Sequence, residues 1–207
     1  MLLHTIYLIA IVAEAMSGAI MGMRRDMDLF GICVVGTITA LGGGTIRDIL
    51  LGNYPLGWII HPQYLLFTIG AAIVTAFVAR FLHHLRSVFL MVDGLGLVAF
   101  SVIGCDIARA NGMVPGIVIL AGMITGVFGG LLRDVLCNEI PLVLQRELYA
   151  TIALFTGSLY VGLLWLNVDP TIAPLVAIGC GFLYRLLAMR FHWKLPSFNG
   201  SGIRGFE

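Results

Sequence analysis

Gly42-Gly43-Gly44-Thr45-Ile46-Arg47-Asp48-Ile49-Leu50-Leu51 closes a strongly apolar run with three consecutive glycines, a cation and an anion. A membrane helix ordinarily avoids all three features. The pattern returns as Gly129-Gly130-Leu131-Leu132-Arg133-Asp134-Val135-Leu136, and Pro55-Leu56 after the first copy is matched by Pro141-Leu142 after the second. One offset, the 86 residues from Arg47 to Arg133, also carries Gly36 to Gly122, Thr39 to Thr125, Gly43 to Gly129, Gly44 to Gly130 and Asp48 to Asp134. So dense a match marks an internal repeat.

The surroundings of these motifs are those of a membrane protein. Of 207 residues, 59% are hydrophobic and 11% charged, and the mean hydropathy is +1.01, far from the range of soluble domains. The formal net charge of +1 gives no general attraction to nucleic acid. Cys33, Cys105, Cys137 and Cys180 are scattered without C-x-x-C spacing and read as small apolar core residues. His83-His84, between Arg80 and Arg86, reads as part of a basic interhelical segment. Leu2 to Val12 followed by Ala13-Glu14-Ala15 mimics a signal peptide, but no basic n-region precedes it and the apolar pattern continues to Met23. It is expected to be a retained first span.

Apolar segments long enough to cross about 30 Å of hydrocarbon fall at Leu2–Met23, Leu29–Ile46, Tyr64–Phe81, Val88–Ile107, Met113–Leu132, Leu148–Leu166 and Ile172–Met189. They are continuously apolar, without period-two alternation, so helices rather than a barrel are expected. A slightly shorter offset aligns Met16-Ser17 with Phe100-Ser101 and Arg24 with Arg109, which gives each repeat three spans. An odd number of spans inverts the second copy in the bilayer. The expected fold is all-α and integral to the membrane, with about seven transmembrane helices. Inverted repeats at 1–87 and 88–168 precede a seventh helix at 169–192 and a short tail at 193–207, all within one membrane domain. Arg24, Arg25, Arg80, Arg86, Arg146, Arg190, Lys194 and Arg204 gather on one face. The positive-inside rule therefore puts the N-terminus outside and the C-terminus in the cytoplasm. Trp58 and Trp165 near span ends read as interfacial anchors.

The small residues Gly36, Ala40, Gly44 and Gly122, Gly126, Gly130 recur every fourth position, one helical face on which another helix can approach closely. Gly18 and Gly22 form a shorter pair of the same kind. Gly42-Gly43-Gly44 costs a helix about 1 kcal/mol per glycine relative to alanine. A break is therefore expected there, restarting at a Thr45/Asp48 capping box, with a milder kink at Gly129-Gly130, where Leu131 replaces the threonine. A tight glycine-rich crossing with no ion near it is the alternative. Neighbouring helical residues point about 100° apart, so Arg47 is expected to need an acid other than Asp48, and Arg133 one other than Asp134. Glu14 and Asp93 are the candidates within spans, and Asp106 lies nearer an end. Such buried ionisable groups mark a solute path, unless the arginines snorkel and the aspartates serve as caps. Thr37, Thr39, Thr125, Ser17 and Ser101 could line that path, although membrane hydroxyls usually bond their own helix backbone.

The doubled G-G-G-x-x-R-D and G-G-x-x-R-D motifs with their following Pro-Leu, together with Asp93-Gly94-Leu95-Gly96 opening the fourth span, resemble the prokaryotic members of the trimeric intracellular cation (TRIC) channel family. The same sequences are also labelled a glycine-transporter family. The resemblance runs from Leu2 to about Met189. It implies a homotrimer in the prokaryotic plasma (inner) membrane, each subunit with its own pore for K⁺ and Na⁺. Gly42, Gly43, Gly44, Gly129 and Gly130 would kink the second and fifth helices around the pore, and Arg47, Asp48, Arg133 and Asp134 match the family's charged positions. Beyond lipid, permeating monovalent cations and a second and third copy of the chain, no cofactor or metal is implied. Eukaryotic relatives carry a lysine motif and a phosphoinositide site that have no clear counterpart here, so lipid regulation is not carried over. A secondary transporter of a small solute such as glycine is the alternative, because inverted repeats with broken helices also suit a transporter. No H-E-x-x-H or G-x-S-x-G motif supports an enzyme.

Overall fold

The computed structural model describes residues 2–81, 85–145 and 148–193. Within them the chain is helical and contains no strand. The long helices are α1 (Leu2–Arg24), α2 (Leu29–Leu51), α4 (Gln63–Val78), α5 (Leu85–Ala110), α6 (Pro115–Leu136), α7 (Ala150–Trp165) and α8 (Ile172–Arg190). They follow the expected spans one for one. Five of them are long and apolar enough to cross a membrane, and α4 and α7 are apolar helices of 16 residues. Two short elements were not anticipated: α3 (Gly57–Ile60), just after Pro55-Leu56, and a 3₁₀ turn at Leu142–Leu144, which starts within the matched Pro141-Leu142 pair. His83, His84, Arg146, Lys194, Arg204 and the tail lie outside the described residues, as does the side chain of Arg80.

Local signals set several helix ends. Asp28 caps α2 by accepting from the Gly31 amide at 2.7 Å, an N-cap bond that satisfies one orphan donor of the first turn. Gly52, at φ 66°, closes α2 by donating back to the carbonyls of Asp48 and Ile49. Pro115 opens α6, where its missing amide is not needed.

Helices α1 and α5 form the centre. α1 packs on α2, α4 and α5, while α5 also packs on α6, α7 and α8, and α2 crosses α6. Beside an apolar core that includes Ile11, Leu97 and Val102, the helices turn large apolar side chains outward and bury charge. Phe30 is 77% and Leu66 74% exposed, whereas Asp93 and Arg133 are 0% exposed. Apolar surface outside and charge inside is the arrangement that hydrocarbon solvent selects.

The structure corrects the expected break. α2 continues through Gly42, Gly43 and Gly44 to Leu51, five residues beyond the expected end, and α6 continues through Gly129 and Gly130. Thr45 forms no capping box; its hydroxyl donates to the Leu41 carbonyl at 2.8 Å, one turn back. The glycines serve contact instead. A Cβ on Gly43 would collide with the Thr125 carbonyl, and a Cβ on Gly129 with the Thr39 carbonyl. Each helix thus lays its backbone against the other at positions related by the same offset.

The four-residue ridge packs as expected, except at its ends. Cβ atoms on Gly36, Gly122 and Gly126 would lie 2.9, 2.5 and 2.6 Å from the carbonyls of Ala15, Ser101 and Leu97. Gly44 and Gly130 instead face the guanidinium groups of Arg47 and Arg133. Gly18 packs against Val35 O and the Thr39 hydroxyl, and Gly104 against Ala121 O and the Thr125 hydroxyl. These two sets of contacts stand 86 positions apart, the spacing of the Arg-Asp motifs.

A buried ion-pair cluster as candidate functional site

Arg133 lies near the end of α6 with its guanidinium folded back over the space left by Gly130. Its Nε donates to Asp134 Oδ1 at 2.8 Å, and its Nη1 donates to Ser17 Oγ of α1 at 2.6 Å and to Asp93 Oδ1 of α5. The guanidinium carbon stands 4.7 Å from the centre of the Phe89 ring, a cation–π contact in a dry environment. Asp134 uses its other oxygen to accept the Leu142 amide at 2.9 Å, which ties α6 to the turn after Pro141. One guanidinium therefore links α1, α5 and α6.

Arg47, the matching residue of α2, makes a local arrangement. Its Nε and Nη2 donate to Asp48 Oδ1 at 3.0 and 2.8 Å, and Asn53 Nδ2 donates to the same oxygen at 3.2 Å. Beside it the Trp58 indole donates to the Thr45 hydroxyl at 3.2 Å. Trp58 is thus a partner of the motif, while Trp165, 86% exposed, has the exposure of an interfacial anchor. Among the described residues, no acid from another helix pairs with Arg47.

Both arrangements overturn the expectation that adjacent Arg and Asp cannot pair. The 100° separation applies to the Cα–Cβ directions; a guanidinium on three methylenes can fold back over the helix to the next residue. Additional pairing was expected for each arginine, and only Arg133 has it, with Asp93. Glu14, the other intramembrane candidate, is 1% exposed and adjoins this cluster without a hydrogen bond to Arg133. Asp106 lies elsewhere, pairing with Arg109 at 2.9 Å and accepting from the Tyr160 hydroxyl at 2.7 Å.

A cavity of about 590 Å³ opens beside the Arg133 cluster. Arg24, Arg86, Glu139 and Gln145 line it with apolar residues of α1 and α5, and Asp134 bounds it on the cluster side. At the rim, Arg25 donates to the Asn138 carbonyl at 2.9 Å and pairs with Glu139 at 2.9 Å. The Arg133–Asp93 pair therefore stands behind a polar, amphiphilic vestibule.

A family model described as Glycine transporter matches residues 4–80 and 90–165. The chain is 36% identical over 200 residues to the UPF0126 inner membrane protein YadS of Escherichia coli (strain K12), covering 96% of this chain and 97% of that protein. It is 40% identical over 194 residues to a UPF0126 membrane protein of Deinococcus radiodurans, covering 92% and 86%. A solved TRIC trimeric intracellular cation channel orthologue from Rhodobacter sphaeroides superposes with TM-score 0.89 at 33% identity, over 92% of this chain and 98% of that one. A prokaryotic TRIC channel solved in 0.5 M KCl gives 0.85 at 36% identity, over 93% and 98%. The chain belongs to the prokaryotic TRIC family. The resemblance carried by the doubled motif is thereby established.

In this TRIC-family chain the hydroxyls behave largely as expected. Thr39, Ser101 and Thr125 each bond the carbonyl one turn back, at 2.7, 2.7 and 2.6 Å. Ser17 and the Thr37–Thr68 pair, 3.2 Å apart, are the exceptions. Two residues beside the cluster were missed in the sequence. Arg185 of α8 is 1% exposed, with its guanidinium carbon 5.1 Å from the Tyr149 ring centre and its stem against Gly94. An arginine inside the seventh apolar span carried the same signal as Arg47 and Arg133. Tyr149, 1% exposed before α7, carried none.

Proposed function

We propose that this chain is a channel for monovalent cations, chiefly K⁺ and also Na⁺, with a pore in each subunit passing the crossing of α2 and α6. The observation that carries the reading is the placement of the two Arg–Asp pairs. Each sits one turn past the glycines at which the two helices touch, and the Arg133 pair closes the inner end of a polar cavity. The similarity to solved cation channels over nearly the whole chain supports it. Paired carboxylates offset the arginine charge, so cations are not excluded from a path beside them.

The reading includes two inverted repeats, 1–87 and 88–168, with α8 outside them. The reciprocal contacts Gly43 with Thr125 and Gly129 with Thr39 support that relation. It further includes a homotrimer in a bacterial inner membrane, the N-terminus outside and the C-terminus cytoplasmic. Glycines 42–44, 129 and 130 let α2 and α6 approach and bend, and the i−4 bond of Thr45 favours a bend at that point. The description of the matching family model keeps glycine transport as the second reading.

Purified protein in planar bilayers decides between them. Unitary K⁺ currents establish the channel; their absence, together with saturable glycine counterflow in vesicles, overturns it in favour of the transporter.

A further inference from the structure

The Asp93-Gly94-Leu95-Gly96 motif of α5 has a structural meaning that its sequence does not announce. Its two glycines are notches for charged side chains. A Cβ on Gly94 would lie 3.1 Å from Arg185 Cγ, and a Cβ on Gly96 would collide with Glu14 Oε1 and lie 2.5 Å from Glu14 Cγ. The motif therefore seats Arg185 of α8 and Glu14 of α1 on either side of Asp93, which holds Arg133 of α6.

The polar groups around this seat are not all satisfied. Both carboxyl oxygens of Glu14, Asp93 Oδ2, Arg133 Nη2 and the Tyr149 hydroxyl are buried and accept or donate no hydrogen bond among the described residues. Among the described residues, Glu14, Asp93 and Asp134 place three carboxyl groups in a cluster with two guanidiniums, those of Arg133 and Arg185. A buried cluster with one unmatched carboxylate takes up a positive charge. No group of three His, Cys, Asp or Glu among the described residues is placed to hold a metal ion, and a proton needs only one acceptor.

We propose that Glu14 is a proton-binding site that controls the Arg133–Asp93 pair. A proton on Glu14 leaves Arg133 to Asp93 and keeps the cluster closed. When Glu14 releases the proton, its carboxylate competes with Asp93 for the guanidinium and the pair loosens, so acid closes the path and alkali opens it. The groups facing Glu14 are Asp93 of α5, Arg133 and Asp134 of α6 and Tyr149 ahead of α7, with Arg185 of α8 beyond them at the Gly94 notch and Ser17, the partner of Arg133, on α1 itself. α2 and α4 also pack on α1, and their only ionisable side chains are Cys33, Arg47, Asp48 and Tyr64. The effect on current rests on the channel reading; the proton site does not.

Infrared difference spectra of the full chain in liposomes, titrated from about pH 8 to about pH 5, span a range in which buried carboxyls titrate. The wild type is expected to gain the C=O stretch of a protonated carboxylic acid on acidification, and Glu14→Gln to lack it. A band that persists unchanged in Glu14→Gln, or no band in the wild type, overturns the proposal. Should Glu14→Gln not fold, Glu14→Asp, which draws the acid back from the Gly96 notch, must move the midpoint; an unmoved midpoint overturns it equally. In bilayers, the open probability of the wild type should fall several-fold over the same titration, and that of Glu14→Gln should stay at the acid level throughout. Equal pH dependence in both removes the control of the pair by Glu14. Absence of wild-type current at every pH removes the channel reading instead, and leaves the infrared result to decide the proton site.

Discussion

Arg133 and Asp93 form an ion pair between α6 and α5 with no exposure of either side chain. Removing one partner of such a pair leaves a bare charge in a medium that cannot solvate it, at a cost of about 3–5 kcal/mol. Arg133→Ala is therefore expected to lower the unfolding midpoint in detergent sharply, because Asp93 and Asp134 both lose their cation. A midpoint within error of the wild type would show that the cluster holds no structural energy.

Arg47 differs from Arg133 in kind. Its acid is its neighbour on the same helix, so Arg47→Ala unties no second helix. Its stability loss should be clearly smaller than that of Arg133→Ala, while unitary K⁺ conductance changes. Equal losses for the two variants would mean that the local pair is as structural as the shared one; unchanged folding and permeation in both would reduce the arginines to bystanders.

Close approach of α2 and α6 rests on absent side chains. Gly43→Ala and Gly129→Ala push a methyl into the carbonyls of Thr125 and Thr39, and overpacking of this sort costs about 1–3 kcal/mol. Gly162→Ala in α7 meets nothing within 4 Å and should gain a little from helix propensity. Thermal unfolding of the three variants tests the contrast, and a uniform response would remove the crossing as the cause.

The Arg25–Glu139 bridge at the cavity rim is partly exposed, at 37% and 34% of the two side chains. Exposed pairs contribute about 0–1 kcal/mol, so Glu139→Gln should leave the unfolding midpoint in place. What it should alter is the ionic-strength dependence of K⁺ current, since the cavity loses a charge that salt screens. An unaltered dependence would place this cavity off the ion path.

Asp169, in the link before α8, accepts the Thr171 amide at 2.7 Å, and this bond holds its carboxyl below the ordinary value of 3.8. A folded value below the unfolded one adds stability that is complete above the unfolded value and fades as pH falls through the folded one. Hydrogen exchange at the start of α8, taken relative to the intrinsic amide rate at each pH, should therefore quicken only in acid below about pH 4, and Asp169→Asn should remove that acid dependence. Acid-quickened exchange that survives the substitution would assign it to another group.

The amino-acid sequence by itself determined the membrane class, the seven long helices and their order, because continuous apolar runs can satisfy their backbone in lipid only as helices. It also determined that Arg47, Asp48, Arg133 and Asp134 are paired features of a repeat, because the offset is visible without coordinates. Tertiary structure decided which acid each arginine meets. Side-chain reach and the approach of a third helix are not written in the spacing of two residues, so Arg133 found Asp93 while Arg47 kept Asp48. It likewise decided that Gly42 to Gly44 are a contact and not a break, since a glycine run has a single local cost whether it opens a helix or lets another helix touch it. The roles of Gly94 and Gly96, as seats for Arg185 and Glu14, exist only once α8 and α1 are packed against α5.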